Sequence, residues 1–184
     1  MQVRGQRLDR PVGQGPQRLG RDAVLAQGYG DLGYVLHDEK IIKEACRWID
    51  AVVAGQEEDG WFGPHTLKSS LEGKPDLWPN MLMLNVLQSF YEYNGDKRVL
   101  PFLRGYFQWQ LKVPDADFMA GYWPKMRAGD NLDSVYWLYN RTGDKWLLDL
   151  ATKSVTSLIK VSALPFMRPL RKTALELIAV VKGD

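Results

Sequence analysis

Apolar residues recur at helical spacing along most of this chain, and two kinds of helix alternate. In residues 39–54 the apolar side chains share one face and the charged side chains lie opposite, which predicts a helix with one side in solvent. Residues 77–93 are apolar nearly all round, which predicts a buried helix. Helical patterns continue through 97–111, 131–141 and 145–160. No segment shows the period-two pattern of a strand, so the sequence predicts an all-α fold.

A short turn joins these helices in pairs, and it occurs three times. Its sequence is LHDEKII at 36–42, NGDKRVL at 94–100 and TGDKWLL at 142–148. The glycine before the aspartate tolerates the left-handed conformation that ends a helix, and His37 takes that place in the first copy. The aspartate can cap the next helix by accepting a bond from its free N–H groups. We therefore predict that the turn aspartates are N-caps and not catalytic acids: Asp38, Asp96 and Asp144.

Successive helix pairs with short turns predict antiparallel helical hairpins that form part of an α/α toroid. The buried helices would line a central cavity. The long connections 55–76 and 112–130 would lie together at the rim opposite the short turns, beside a candidate cleft. Asn80, Asn85 and Gln88 interrupt the apolar surface of the buried helix, so they must be hydrogen-bonded or face a cavity.

Composition limits the classes of function. The chain has 184 residues, enough for one domain with a core, and its net charge of +2 predicts no strong attraction to nucleic acid or to a membrane. No apolar run is long enough to predict a membrane span, and the N-terminus lacks the apolar core of a secretory signal. Localisation stays open.

The single cysteine, Cys46, excludes an internal disulfide and any site built from several cysteines of this chain. It lies on the amphipathic helix 39–54, where a cysteine more often packs than reacts. We therefore expect no cofactor and no metal-ligating residue in this chain.

Several segments between Gly28 and about Ala151 resemble the β-L-arabinofuranosidase-like glycoside hydrolases. The most specific is Q-x-x-D-G-W-F-G-P at 56–64, followed by LWPNMLML and by two hairpins with Gly-Asp turns; GYGDLGYVL is similar as well. The resemblance implies a barrel of six helical hairpins, of which this chain would supply the N-terminal part, about the first three. It also implies hydrolysis of furanoside bonds in plant-type glycans.

The resemblance further implies a cysteine nucleophile held by zinc with glutamate and other cysteines, and a separate glutamate as acid/base, all downstream of the matched segments. Cys46 does not match that nucleophile. We therefore expect part of a glycoside hydrolase that is inactive alone, with zinc confined to full-length relatives. The alternative is a helical-repeat module that binds a partner without catalysis. A third candidate is another toroid enzyme, such as a polysaccharide lyase or a terpene-cyclase-like protein.

The N-terminal segment 1–27 differs in character from the remainder, 28–184. Residues 1–20 are mainly Gln, Gly, Arg and Pro, which predicts little structure. Relatives are expected to have W-x-x-x-P-Y-W-L-x-G-Y before GDLGYVL. Some of the codons that can encode Leu19 to Gly28 spell WDAMPYWLKG when the reading frame starts one nucleotide later. Our hypothesis is that residues 1 to about 27 are translated out of frame, which leaves 28–184 as the partial barrel domain. Sequencing the coding DNA tests this.

Candidate substrate-binding residues lie on the two long connections and at the start of the buried helix 77–93. Aromatic rings can stack on sugar faces, so Trp61, Trp78 and Trp123 are candidates, with packing between hairpins as the alternative for each. The GlyTrpPheGly stretch is expected to expose its two aromatic rings. No carboxylate is assigned as catalytic, because solvation, turns and ion pairs explain each of them as well. The polar candidates are Gln56, Asp59, Arg127 and Asp130.

A carbohydrate is the expected partner of this chain. The last hairpin of a partial toroid would also expose an apolar side that the next hairpin covers in a closed barrel. We therefore expect self-association through this exposed barrel edge.

Overall fold

The computed structural model describes residues 28–161, with side chains through residue 157. Within these residues the one β contact is an isolated bridge between Leu71 and Lys74, so the predicted all-α class is confirmed. The hypothesis about segment 1–27, and the last part of the predicted domain at 162–184, lie outside the described residues. The helices are α1 (28–36), α2 (Glu39–Ala54), α3 (Trp78–Asn94), α4 (Val99–Lys112), α5 (Tyr122–Met126), α6 (Ala128–Thr142) and α7 (Trp146–Val161), with a 3₁₀ turn at His65–Lys68.

The helices form two layers. In the first layer α3 packs on α6, and Tyr34 of α1 stacks on Tyr93 of α3 with ring centroids 4.3 Å apart. In the second layer α4 packs on α7, and Arg98 at the start of α4 binds Asp50 of α2 at 2.7 Å. Hairpins therefore follow one another as the pattern predicts, and closure into a toroid stays a prediction.

The pattern of apolar residues explains which helix is buried. On the amphipathic α2 only Ala45 and Ile49 are buried, whereas most side chains of α3 are buried. Burying apolar surface between the layers is the main favourable term in this packing. Fully buried residues between the layers include Leu84, Leu87, Leu103, Val135, Leu138 and Leu147.

None of the described helices is both long and apolar enough to cross a membrane.

The three short turns share one backbone conformation. Gly95 and Gly143 are left-handed, with φ of 68° and 70°, and end α3 and α6. His37 has φ 54° and takes the same role after α1, although L-residues with a side chain rarely adopt this conformation. The alignment of His37 with the two glycines is therefore confirmed.

The turn aspartates differ in what they bind. Asp38 accepts the N–H groups of Lys40 and Ile41 as an N-cap, and Asp96 accepts the N–H of Arg98 in the turn before α4. The N-cap prediction is wrong for Asp96, because Arg98 takes the N-cap position of α4 and no side chain caps this helix, and it is also wrong for Asp144. Its carboxylate lies 3.1 Å from the Nε of Arg104 on the neighbouring helix, so a cation takes the place of the helix N–H groups.

The second long connection is less irregular than predicted. Residues 112–130 contain the short helix α5 and the start of α6, which begins at Ala128 and not at 131. Pro124 lies in the first turn of α5, where its missing N–H has no helical partner to lose. The prolines and glycines that predicted a loop therefore lie near the starts of two helices.

Candidate functional site

The two long connections meet at the end of the molecule opposite the short turns. Lys74 Nζ of the first connection lies 3.3 Å from Asp117 Oδ1 of the second. The indole rings of Trp78 and Trp123 stack with centroids 5.7 Å apart. The predicted convergence of these segments is confirmed, and any cleft at this end is bounded by both of them.

The first connection begins with a turn that is bound to α4. Gln56 donates from Nε2 to the carbonyl oxygens of Gly60 and Phe102, both at 2.9 Å. Gly60 has φ 99°, and a Cβ at this position would lie 2.1 Å from the carbonyl oxygen of Gly105. Glycine alone fits so close an approach of two backbones. Gln56, a predicted binding residue, therefore holds this turn against α4.

Lys68 forms ion pairs with two carboxylates of the same turn. Its Nζ lies 2.6 Å from Glu57 and 2.8 Å from Asp59, which also accepts the Trp61 N–H at 3.0 Å. The hydrogen bond from Lys68 lowers the pKa of Glu57 by more than partial burial raises it. Burial raises the pKa of Asp59, but its hydrogen bonds to Lys68, the Trp61 N–H and Trp109, together with the charge of Lys68, lower it by more. Asp59 is therefore an ionised turn residue.

The aromatic rings of this turn are buried, so the expectation that they are exposed is wrong. Trp61 and Phe62 both have an exposed fraction of 0%. The Trp61 ring packs edge-on against Trp109 at 4.7 Å, and Phe62 packs edge-on against Tyr106 at 4.6 Å. Because the turn is held against α4, both rings point into the core. In this structure Trp61 has no surface on which a sugar could stack.

The second connection presents its aromatic side chains to solvent. Tyr122 is 67% exposed and Trp123 is 56% exposed, and their rings meet edge-to-face at 5.3 Å. Trp78 is half-buried beneath Trp123. We call Trp78, Tyr122 and Trp123 the aromatic ledge. The sequence pointed to the two tryptophans but not to Tyr122, although the adjacent Tyr-Trp pair was a usable signal.

Arg127 and Asp130 lie beside the aromatic ledge. The Arg127 N–H donates to the Trp123 carbonyl at 2.9 Å, which ends α5. Arg127 Nε lies 3.5 Å from Asp130 Oδ2, and the arginine side chain is exposed. An exposed pair at this distance contributes little stability, so both charges remain available to a ligand.

The polar residues of α3 occupy two environments. Asn80 is buried and donates from Nδ2 to the Phe62 carbonyl at 2.9 Å, so it is a packing residue. Gln88 donates from Nε2 to Ser134 Oγ of α6 at 2.7 Å, and Ser134 donates to the Asp130 carbonyl at 3.1 Å. These bonds connect the two helices of the first layer below the aromatic ledge.

Cys46 lies away from this end of the molecule, on α2 of the second layer. Burial and the nearby carboxylates of Asp50 and Asp96 raise the pKa of its thiol, which reduces the fraction of reactive thiolate. Within residues 28–161 no group of three or more His, Cys, Asp or Glu side chains is placed to hold a metal ion. The described residues therefore do not fit the zinc site that the resemblance implies for relatives.

Comparison with known proteins agrees with the resemblance noted in the sequence. The family model described as beta-L-arabinofuranosidase, GH127 catalytic domain, matches residues 20–162. The match spans all of the described residues and begins inside the segment 1–27 that the frame hypothesis concerns. No curated protein and no solved structure matched the chain.

Proposed function

Because this chain belongs to the GH127 β-L-arabinofuranosidase catalytic-domain family, we propose that it binds arabinofuranosides or related plant-type glycans at the end where its two long connections meet. The aromatic ledge is the observation that supports this best. Sugar rings have an apolar C–H face that packs on aromatic rings, and their hydroxyls require hydrogen-bonding groups nearby. The ledge supplies exposed rings, and Arg127 and Asp130 supply polar groups beside them.

We propose binding without hydrolysis for this chain alone. Glycosidases act with a pair of carboxyl-type groups about 5–10 Å apart across the scissile bond. Glu57 and Asp59 are instead held in ion pairs with Lys68, and Cys46 lies in the second layer with a raised thiol pKa. These observations support a role in holding the glycan. Release of free arabinose by the purified chain would contradict this part of the proposal.

Isothermal titration calorimetry with arabinofuranosyl oligosaccharides tests the binding. We expect Trp123→Ala to weaken binding about 3- to 10-fold, since one aromatic stacking contact is lost. Tyr93→Ala is the matched control, because Tyr93 is an exposed aromatic residue at the other end of α3. No heat with any furanoside, or equal affinities for Trp123→Ala and the unaltered chain, would contradict the proposal.

We also propose that the chain self-associates through α1. Leu32, Val35 and Leu36 lie on one face of this helix and are 48% to 76% exposed. The sequence predicts an exposed apolar side on the last hairpin as well, and that stays a prediction. Light scattering should show oligomers, and Leu32→Glu with Val35→Glu should shift them to monomer. A monomeric unaltered chain would contradict this proposal.

A further inference from the structure

A pair of carboxamide side chains follows the aromatic ledge down α3. Two helical turns separate Trp78 from Asn85, so both lie on the same side of the helix, about 10 Å apart along its axis. Gln88 lies about one turn further and is only 8% exposed. Asn85 is half-buried, and both amides face the junction of α3 with α6.

The hydrogen bonds of this pair use one half of each amide. Gln88 Nε2 donates to Ser134 Oγ at 2.7 Å and to Asn85 Oδ1 at 3.5 Å. Ser134 is itself fixed by its bond to the Asp130 carbonyl at 3.1 Å. Among the hydrogen bonds of residues 28–157, whose side chains the structure describes, none uses the Oε1 of Gln88 or the Nδ2 of Asn85. The pair therefore leaves one acceptor and one donor that no described side chain engages.

We infer that Asn85 and Gln88 form a subsite for a vicinal diol of the bound glycan. This inference rests on the proposed function and specifies which groups of the glycan the site recognises. Two neighbouring hydroxyls can donate to Gln88 Oε1 and accept from Asn85 Nδ2 at the same time. Gln88 Oε1 and Asn85 Nδ2 are not among the buried side-chain atoms that lack a partner, so a ligand hydroxyl can reach both of them from the surface.

The position of the subsite determines the length of ligand. The aromatic ledge and the amide pair are about 10 Å apart along α3, farther than one furanose ring reaches. A glycan that stacks on the ledge and also binds the amides therefore has at least two sugar units. A single arabinofuranoside should bind at one of the two positions only, with lower affinity.

Calorimetry with an arabinofuranosyl disaccharide and its monodeoxy analogues tests the subsite. Asn85→Ala is the main variant, because the residue is half-buried and alanine favours the helix. Gln88→Met is the second. We expect each to weaken disaccharide binding about 3- to 10-fold, the effect of one lost neutral hydrogen bond. For each variant, one monodeoxy analogue should bind as it binds the unaltered chain, because that analogue lacks the hydroxyl that the replaced amide contacts.

Gln108→Ala is the matched control, since Gln108 is an exposed amide on α4 of the second layer. It should bind every ligand as the unaltered chain does, and thermal melts verify that each variant is folded. Two results would overturn the subsite and leave the proposed function standing. In the first, the variants weaken binding of the disaccharide and of all analogues equally. In the second, they leave the binding of every ligand unchanged while Trp123→Ala weakens it. Absence of any glycan binding to the unaltered chain would overturn both.

Discussion

Two tryptophans on the two long connections have opposite environments. Trp61 is buried in the core, and Trp123 is exposed on the aromatic ledge, although each follows closely after a glycine. The difference originates in the backbone. Gly60 approaches Gly105 of α4 so closely that the ring after it enters the core, whereas Gly121, with φ 80°, precedes a short surface helix.

The contrast shows that the most distinctive motif is not the binding surface. The segment 56–64 indicates the family most clearly, and its side chains fasten the first connection to α4. The segment 122–130 is less distinctive, and it supplies the exposed rings and charges. A motif can therefore identify a fold through residues that build the scaffold of a site without contacting its ligand.

Removing each tryptophan should separate the two roles most strongly. Trp61→Ala should lower the free energy of unfolding by about 3–5 kcal/mol, because it deletes a fully buried ring and leaves a cavity. Trp123→Ala should lower it by about 1 kcal/mol or less, since most of that ring is in solvent. Urea denaturation followed by circular dichroism measures both values. Similar losses of unfolding free energy for the two variants would show that the two tryptophans do not differ in their contribution to the core.

The close approach of Gly60 to Gly105 can be tested in the same way. Gly60→Ala should cost about 1–3 kcal/mol of unfolding free energy, because alanine is strained at this positive φ and its Cβ meets a carbonyl oxygen. Gly129→Ala is the control, since a Cβ there has no neighbour within 4 Å. It should leave stability unchanged or raise it by up to about 1 kcal/mol. Equal melting temperatures for the two variants would show that the turn does not depend on this contact.

Local features of the fold could be predicted from the sequence. The bounds predicted for the second helix, 39–54, agree with α2, and the buried character of α3 follows from its apolar pattern. His37, Gly95 and Gly143 adopt the left-handed conformation that the repeated turn predicts. Periodicity and turn chemistry are properties of neighbouring residues, so a single sequence contains them.

Contacts between distant residues could not be predicted. The burial of Trp61 depends on the approach of Gly60 to Gly105, and nothing near Asp144 indicates that Arg104 will bind it. The reciprocal amide pair of Gln110 and Asn131, at 2.8 and 3.0 Å, is likewise set by packing of α4 on α6. For the site, the sequence indicated Trp78, Trp123, Arg127 and Asp130 near one cleft, but not which aromatic rings face solvent.

The smallest expected effect concerns the ion pairs that hold the first connection. Folding lowers the pKa values of Glu57 and Asp59. Their ion pairs with Lys68 therefore stabilise the fold fully at pH values above the unfolded carboxyl pKa of about 4. This stabilisation is lost as the pH falls through the lower pKa values of the folded state. The unaltered chain should therefore lose stability below about pH 5 more steeply than Lys68→Met. At pH 7 the variant should be less stable by about 1 kcal/mol or less, because all three side chains are partly exposed.

Urea denaturation at a series of pH values measures this difference. Lys74→Met is the control, because it removes the more exposed ion pair with Asp117 between the two connections, and it should change stability at pH 7 by only about 0.5 kcal/mol or less. If Lys68→Met and the unaltered chain lose stability in parallel below pH 5, Lys68 does not hold the turn. The burial of Trp61 would then depend on Gln56 and on the contact of Gly60 with α4 alone.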